Sequence, residues 1–223
     1  IAASDSYKDS AMQTHEKRYF DAKAATWDEE PRRVQLAREV TAAILNEAPL
    51  SRHMTVLDYG CGSGLVTLGI QPHVGRIVAA DSSRGMLDVL ARKVQEQGID
   101  NVSTRLIDLA AQDRLEGGFD LIVSSMTMHH VAGTMALVSD FVRALNPGGW
   151  LALADLETED GTFHDDQTGV CHHGFDRVFM HQVLTKSGCS DVRVVSAATV
   201  HKKSPDGGER SYPVFLAVGR KGA

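Results

Sequence analysis

Thr55-Val56-Leu57-Asp58-Tyr59-Gly60-Cys61-Gly62-Ser63-Gly64 is the stretch of sequence that decides the fold. Its apolar first half is typical of a buried strand that reaches an acidic residue, Asp58, and then enters a glycine-rich turn. An apolar helix start follows at Leu65. Because glycine has no Cβ, such a turn can bend sharply and allow a ligand to approach the backbone. A strand, a glycine turn and a helix in this order predict a nucleotide-type cofactor site.

The spacing of the glycines distinguishes between cofactor classes. A dinucleotide site for hydride transfer would carry G-x-G-x-x-G, whereas this chain has G-x-G-x-G, with Leu65 where the third glycine would fall. A phosphate-binding loop would need Gly-Lys-Ser or Gly-Lys-Thr, and the turn contains no lysine. The pattern therefore disfavours both of these sites.

The segment resembles motif I of the class I S-adenosylmethionine (SAM)-dependent methyltransferases, D/E-x-G-x-G-x-G, through Asp58, Gly60, Gly62 and Gly64. The resemblance implies that the turn, with Cys61, passes under the methionine part of SAM and that Asp58 helps to place its amino group. The glycine spacing by itself indicates only a tight turn beside a ligand. A non-catalytic SAM-sensing or scaffold domain and a Rossmann-type oxidoreductase are the alternative functions.

Length and composition set outer bounds on the function. The chain has 223 residues, enough for one α/β domain with a full core, and its apolar fraction of 43% is ordinary for a globular protein. A net charge of −6 without a lysine/arginine run disfavours a nucleic-acid partner. We expect a cytoplasmic protein without membrane insertion, because the three cysteines are unpatterned, residues 1–30 do not resemble a signal peptide, and no apolar run is long enough.

Apolar runs and helical patterns alternate along the chain, which predicts a parallel sheet with helices on both faces. The strands predicted after the first one are Arg76–Ala80, Val102–Ile107, Phe119–Ser124, Trp150–Ala154, Val192–Val200 and Tyr212–Val218. Only Lys202 to Arg210 separates the last two, which is too short for a crossover helix and predicts an antiparallel hairpin.

The predicted fold class is therefore α/β: a Rossmann-like three-layer sandwich whose seven-stranded sheet is mostly parallel, with one antiparallel strand near the C-terminus. The resemblance implies the strand order 3-2-1-4-5-7-6. It also implies that Leu145 to Trp150 form the turn into strand five. We expect residues 31–223 to form the methyltransferase domain and residues 1–30 to form a lid or cap over it.

Aspartates follow the second and third strands as well as the first. The spacing suits Asp81 as a partner of both ribose hydroxyls, and the alternative is a helix N-cap. The resemblance places Asp108 against the adenine amino group, and the alternative is a solvated strand end. It adds Ser82, Met86, Leu109 and Ser124 as further cofactor contacts.

The segment after the fourth strand narrows the substrate class. Ser124-Ser125-Met126-Thr127 stands where enzymes that methylate amino groups of DNA or of protein glutamine carry Asn/Asp-Pro-Pro-Tyr/Phe. Met128-His129-His130-Val131 instead resembles the small-molecule group that includes the ubiquinone/menaquinone biosynthesis (type 11) methyltransferases. We therefore expect a small-molecule substrate. His129 or His130 could act as a base there, or be a structural histidine bonded to the backbone.

The N-terminal stretch from Tyr19 to Asp28 is similar to the F-D-x-x-A-x-x-W-D segment of many small-molecule methyltransferases. The aromatic residues Tyr19, Phe20 and Trp27 would then close over the cofactor and exclude water, with Trp27 as a cofactor contact. The alternative is a hydrophobic staple to the first helix.

The loop after the fifth strand is long, acidic and rich in histidine. Loops at the carboxyl ends of strands carry substrate sites, so Glu157, His164 and His172 are the candidate catalytic residues of this loop, beside His129. A second interpretation is a metal site, although the spacing matches no established motif. Its ligands would be His164, Asp165 or Asp166, Cys171, and His172 or His173. The third is a solvated loop with ordinary polar residues.

Overall fold

A seven-stranded sheet with helices on both faces forms the protein's structure, a computed structural model that describes residues 18–107, 115–203 and 207–222. The strands are β1 (Thr55–Tyr59), β2 (Arg76–Asp81), β3 (Val102–Leu106), β4 (Phe119–Ser125), β5 (Leu145–Leu156), β6 (Cys189–Lys203) and β7 (Glu209–Lys221). The helices are α1 (Pro31–Glu47), α2 (Leu65–Ile70), α3 (Arg84–Glu96), α4 (Thr134–Ala144) and α5 (Arg177–Lys186). None of the helices in these ranges is both long enough and apolar enough to span a bilayer.

The strand order is β3-β2-β1-β4-β5-β7-β6, as the resemblance implied. β1 pairs in parallel with β2 on one side and with β4 on the other. β7 runs antiparallel to both β5 and β6, which confirms the predicted hairpin and the single reversed strand. The strand order reverses beside β1, and in open α/β sheets ligands bind at the carboxyl ends of the strands at such a point.

The alternation of side chains along the strands divides the core into two layers, because successive residues point to opposite faces of a sheet. Val56 packs in the layer that includes α1, α2 and α3, whereas Leu57 packs with α4 and α5. Both residues are at most 1% exposed. Residues at the carboxyl ends of the strands can then line the edge of the sheet.

The predicted turn into strand five is part of β5 itself. Leu145 pairs with Phe119 and Trp150 pairs with Leu121, so several residues of β5 stand opposite a single step of β4. Gly148 lies at φ +74° within this irregularity, a conformation that glycine adopts without a Cβ clash. The segment therefore turns as expected while its ends remain in the sheet.

Candidate functional site

A cavity of about 700 Å³ lies at the carboxyl ends of β1, β2 and β4, where the strand order reverses. Its wall includes the N-terminal segment, the glycine turn, the end of β2 with the start of α3, the residues after β4 and the loop after β5, and side chains of α1, α4 and β6 complete it. The predicted site residues in this wall are Tyr19, Phe20, Trp27, Asp58, Gly60, Cys61, Gly62, Asp81, Ser82, Met86, His129, His130 and His164, together with Asp165, Asp166 and Cys171 of the suggested metal ligands. Segments far apart in sequence therefore share one concave site.

The glycine turn lines the cavity through Gly60 and Gly62, and the space beside them differs. Gly62 has φ +53°, and a Cβ built there would meet nothing within 4 Å, so its position faces open space. A Cβ at Gly60 would instead lie 2.2 Å from Oγ1 of Thr127. At Gly64 it would lie 2.3 Å from Cδ1 of Leu90, and Gly64 is not part of the cavity wall. The three glycines thus serve different ends, and Gly62 is the one that leaves room for a ligand.

Asp81 accepts hydrogen bonds from two backbone N–H groups, those of Gly62 and Ser83, both at 2.8 Å. The N-cap of α3 is Ser83, whose hydroxyl oxygen accepts from the backbone N–H of Met86 at 3.1 Å. The alternative of Asp81 as the cap is therefore wrong. Burial raises the pKa of the Asp81 carboxyl. Its position in the wall leaves carboxylate lone pairs for a polar ligand.

Asp58 is 1% exposed and accepts a hydrogen bond from the Thr67 hydroxyl at 2.5 Å. Burial raises the pKa of its carboxyl to about 7, and the nearby charge of Asp81 adds to this effect. A ligand cation beside this buried carboxyl would stabilise its ionised form.

Ser124, a predicted cofactor contact, does not line the cavity. Ser124 is buried, and its hydroxyl donates to the backbone oxygen of Tyr59 at 2.8 Å, so its role in this structure is to join β4 to β1. The wall residues that follow it, Ser125, Met126 and Thr127, were not among the predicted cofactor contacts. Met126 has φ +55°, a strained conformation for a non-glycine residue that no sequence pattern indicated. Asp108 and Leu109 lie outside the described residues.

Polar contacts hold the N-terminal segment against the glycine turn and α3. Asp21 accepts from the Ser83 hydroxyl at 2.6 Å and from the backbone N–H of Gly85 at 2.8 Å. Asp28 accepts from the Ser63 hydroxyl at 2.5 Å and forms an ion pair with Lys93. The segment is therefore attached to the two elements that the resemblance assigns to the cofactor.

The aromatic side chains of this segment pack both on the cavity and on α1. Phe20 contacts Trp27 and His130 edge to face, with ring centroids 5.7 and 5.5 Å apart. Arg33 of α1 lies over the Trp27 ring at 3.7 Å and donates to the Trp27 backbone oxygen. Both proposed roles of the aromatic residues, closure over the cavity and attachment to the first helix, have contacts that support them.

Three imidazoles meet in the cavity wall. The ring centroids of His129 and His130 are 4.2 Å apart, those of His129 and His164 are 4.9 Å apart, and those of His130 and His164 are 5.5 Å apart. We call these three residues the histidine cluster. Burial lowers the pKa of His130 to about 3 and that of His164 to about 4, so both rings are neutral at physiological pH.

Asp155, the fully buried residue near the end of β5, orients His129. Its carboxylate lies 2.6 Å from Nδ1 of His129 and also accepts from the backbone N–H groups of His129 and Leu156. Nε2 of His129 is buried and has no hydrogen-bond partner among the described residues. An unsatisfied buried polar atom is costly and in native proteins calls for an explanation, such as a ligand.

The structure does not bring the other two catalytic candidates to this site. Glu157 forms an ion pair with Arg177 at 2.5 Å. Nε2 of His172 lies 3.2 Å from the Thr134 hydroxyl and 3.1 Å from the backbone oxygen of Val131. Neither residue belongs to the cavity wall, because each side chain is directed to a structural partner instead.

The metal ligands suggested for the loop are also dispersed. Asp165 pairs with Lys202 at 2.9 Å, and Nε2 of His173 lies 3.1 Å from Oε1 of Gln167. The histidine cluster instead has one ligand atom from each residue within 4.8 Å of the others, close enough to hold one metal ion. Among the described residues, it is the group that meets this condition. Its members come from two distant segments, so their spacing in sequence gave no signal.

Comparisons with known proteins show which proteins this chain resembles. The family described as "Methyltransferase domain" matches residues 56–149. An uncharacterized methyltransferase of Schizosaccharomyces pombe is 32% identical over 161 residues, 65% of this chain and 56% of that protein. The nocamycin O-methyltransferase of Saccharothrix syringae is 29% identical over 137 residues, 60% of this chain and 48% of that protein. The chain thus spans about half the length of these curated relatives.

A solved structure shows the same fold at lower sequence identity. Phosphoethanolamine N-methyltransferase 2 of Haemonchus contortus, in complex with SAM, superposes with a TM-score of 0.66 at 18% identity, covering 82% of this chain and 52% of that one.

Proposed function

We propose that this chain, which carries the domain of the class I SAM-dependent methyltransferases, transfers a methyl group from SAM to a small molecule. The match of the family described as "Methyltransferase domain" over residues 56–149 supports the proposal, since it spans the glycine turn, Asp81 and His129. The methylated substrate and the activity of the whole protein are parts of the proposal, since the relatives are longer than this chain.

The cofactor is SAM, and the cavity fits it in charge and in space. Asp58 would hold its ammonium group, because a buried carboxyl with a raised pKa gains most from a cation. Asp81 would accept from the ribose hydroxyls, and Met86 would pack on the adenine. Gly62 leaves the space through which the backbone meets the ligand. When bound, SAM supplies a methyl group on a sulfonium leaving group.

The residues of this chain would then position the acceptor for an in-line displacement. The nucleophile forms a bond to the methyl carbon while the electron pair of the carbon–sulfur bond goes to sulfur, which leaves S-adenosylhomocysteine (SAH). A nucleophile that carries a proton can pass it to Nε2 of His129, because the Asp155 carboxylate orients this ring through Nδ1. Tyr19, Phe20 and Trp27 would exclude water, so that positioning accounts for most of the rate.

The observation that carries the proposal is the presence of a buried, unpartnered His129 Nε2 in the same cavity as the glycine turn. A SAM sensor needs the cofactor half of this cavity and has no use for a costly imidazole nitrogen beside it. A cavity of about 700 Å³ suits a small molecule together with the cofactor. The nocamycin O-methyltransferase among the relatives, by its name, acts on a small molecule, which also supports this substrate class.

The test has two parts. Calorimetry with SAM, SAH and NAD should show binding of the first two, and tight NAD binding without SAM binding would contradict the proposal in favour of an oxidoreductase. A screen of small hydroxyl, amine and thiol compounds, read out as SAH release, should then give an acceptor that turns over. Cofactor binding without turnover of any acceptor would favour the sensor. The predicted cytoplasmic location and the assignment of residues 1–30 as a lid remain predictions.

A further inference from the structure

We propose that the histidine cluster of His129, His130 and His164 binds one divalent transition-metal ion at the acceptor end of the cavity. One ring nitrogen from each of the three residues lies within 4.8 Å of the others. In a tetrahedral zinc site with Zn–N distances of about 2.0–2.1 Å, ligand nitrogens are about 3.3 Å apart. Movement of each nitrogen by about 1 Å, within the range of a side-chain rotation, would therefore close the cluster around an ion.

The surroundings of the cluster resemble the support that metal-bound histidines usually have. Metal ligands of this type donate their second ring nitrogen to a carboxylate or a backbone carbonyl, which fixes the ring and its tautomer. Nδ1 of His129 lies 2.6 Å from the Asp155 carboxylate, and Nδ1 of His130 lies 3.0 Å from the backbone oxygen of Gly169. In both rings this arrangement places the lone pair on Nε2, the atom that a metal needs.

An independent observation points to a ligand at the same place. Nε2 of His129 and Nε2 of His164 are both buried and have no hydrogen-bond partner among the described residues. The His129 side chain is only 1% exposed, so water does not readily replace a partner there. A metal ion between them would satisfy both atoms at once. Two buried nitrogens without partners are costly to the folded protein, and a single bound ion would remove that cost.

The donor set selects the class of metal. Three neutral imidazoles suit Zn²⁺, Co²⁺, Ni²⁺ or Cu²⁺, whereas Mg²⁺ and Ca²⁺ prefer oxygen ligands. Three protein ligands also leave a coordination position for water or for a substrate atom, as in catalytic zinc sites.

The role of the metal rests on the proposed methyl transfer. With an ion in place, Nε2 of His129 is a ligand rather than a base, and the metal lowers the pKa of a hydroxyl or thiol group bound to it. The nucleophile would lose its proton to solvent on binding. The acceptor would then be a molecule whose hydroxyl or thiol group coordinates a metal.

The test uses the full chain without an affinity tag, stripped of metal with a chelator and titrated with Zn²⁺ and with Co²⁺. We expect one equivalent to bind, with visible Co²⁺ absorption bands typical of a nitrogen-ligated, low-coordinate site. His164→Ala removes a metal ligand contributed by the loop after β5. Loss of a residue that only hydrogen-bonds to a metal ligand weakens metal binding about 10- to 100-fold, so loss of the ligand itself should cost at least as much. His181→Ala is the matched control, because His181 is exposed on α5 outside the cavity.

Two results would overturn the metal site: no stoichiometric binding to the wild-type chain, or equal affinity in wild type and His164→Ala. Thermal unfolding shows that both variants fold, and SAH binding is measured on the wild-type chain. If SAH binds and metal does not, the metal site fails while the proposed function stands. If SAH does not bind, the proposed function fails and the metal titration still decides the ligand set.

Discussion

The two halves of the cavity are built in different ways. The half proposed for the cofactor comes from neighbouring stretches of chain, since Asp58 and Asp81 lie near the ends of two successive strands that pair with each other and Gly62 lies just after the first. The acceptor half brings together His129, Asp155 and His164 from separate elements, and Phe20 from the N-terminal segment contacts it. A cofactor shared by many enzymes can be held by a short local motif, whereas the site for a particular acceptor depends on how distant segments meet.

The comparison predicts that the halves can be damaged separately, and the largest effect should be in the acceptor half. His129→Gln removes the ring that Asp155 orients, so turnover of the acceptor should fall about 10²- to 10⁴-fold while SAH affinity stays within about threefold. His172→Gln is the matched control, because His172 is not part of the cavity wall and its ring lies against the Thr134 hydroxyl and the Val131 backbone oxygen. Equal losses in both variants, or a parallel loss of SAH binding, would break the separation.

The pH dependence of SAH binding should report on the cofactor half. The pKa of Asp58 is about 7 in the folded protein, and only its ionised form attracts an ammonium group. SAH affinity should therefore fall about 25-fold between pH 7.5 and pH 5.5, because the ionised fraction of Asp58 falls by that factor. Well below the pKa, the decrease approaches about tenfold per pH unit. Calorimetry across this range measures the effect, and Asp58→Asn should bind more weakly with a flatter profile.

The stability of the protein without cofactor should show the opposite sign. Since the pKa of Asp58 is raised from 3.8 to about 7, the native state holds the proton that the unfolded state loses first. The contribution of this group to stability therefore decreases as pH rises from about 3.8 to about 7 and is constant above that range. Urea unfolding of wild type and Asp58→Asn over these pH values should show the difference. A wild-type curve with the same pH dependence as Asp58→Asn would contradict the assignment.

A smaller effect should separate space from strain in the glycine turn. Gly62→Ala and Gly98→Ala both place a Cβ at positive φ with no atom within 4 Å, but only Gly62 lines the cavity. Both variants should lose a similar amount of stability, about 1–2 kcal/mol, in thermal unfolding. SAH affinity should fall about tenfold or more in Gly62→Ala alone, because its methyl group occupies ligand space. An unchanged affinity would show that the cofactor passes elsewhere.

The smallest effect should come from the N-terminal segment. Asp28→Asn weakens the contact with Lys93 and Ser63, and partly exposed ion pairs contribute about 0.2–1 kcal/mol. We expect a loss of SAH affinity of at most about fivefold, seen chiefly as faster dissociation in stopped-flow measurements. Glu47→Gln removes an ion pair with Arg193 outside the cavity and should leave SAH dissociation unchanged. Identical kinetics in the two variants would show that the segment does not cover the cofactor.

Sequence patterns predicted the fold and the positions of Asp58, Gly62 and Asp81 in the cavity wall, because both depend on local rules. The alternation of apolar residues indicated the strands, and the short Lys202 to Arg210 connection required the reversed pairing that β6 and β7 show. Ser124 was misplaced by one residue. In a strand, adjacent side chains point in opposite directions, so Ser124 bonds to β1 while Ser125 reaches the cavity.

By itself, the sequence determined the α/β fold, the glycine turn and the aspartates at the ends of β1 and β2, since strand period and glycine conformation act between near neighbours. The tertiary structure alone decided which polar residues of the loop after β5 reach the cavity. His164 packs against His129 and His130, whereas Glu157 and His172 are held by partners elsewhere. The spacing of residues in a long loop does not specify its path, because hydrogen bonds and burial against distant segments select which side chain enters a site.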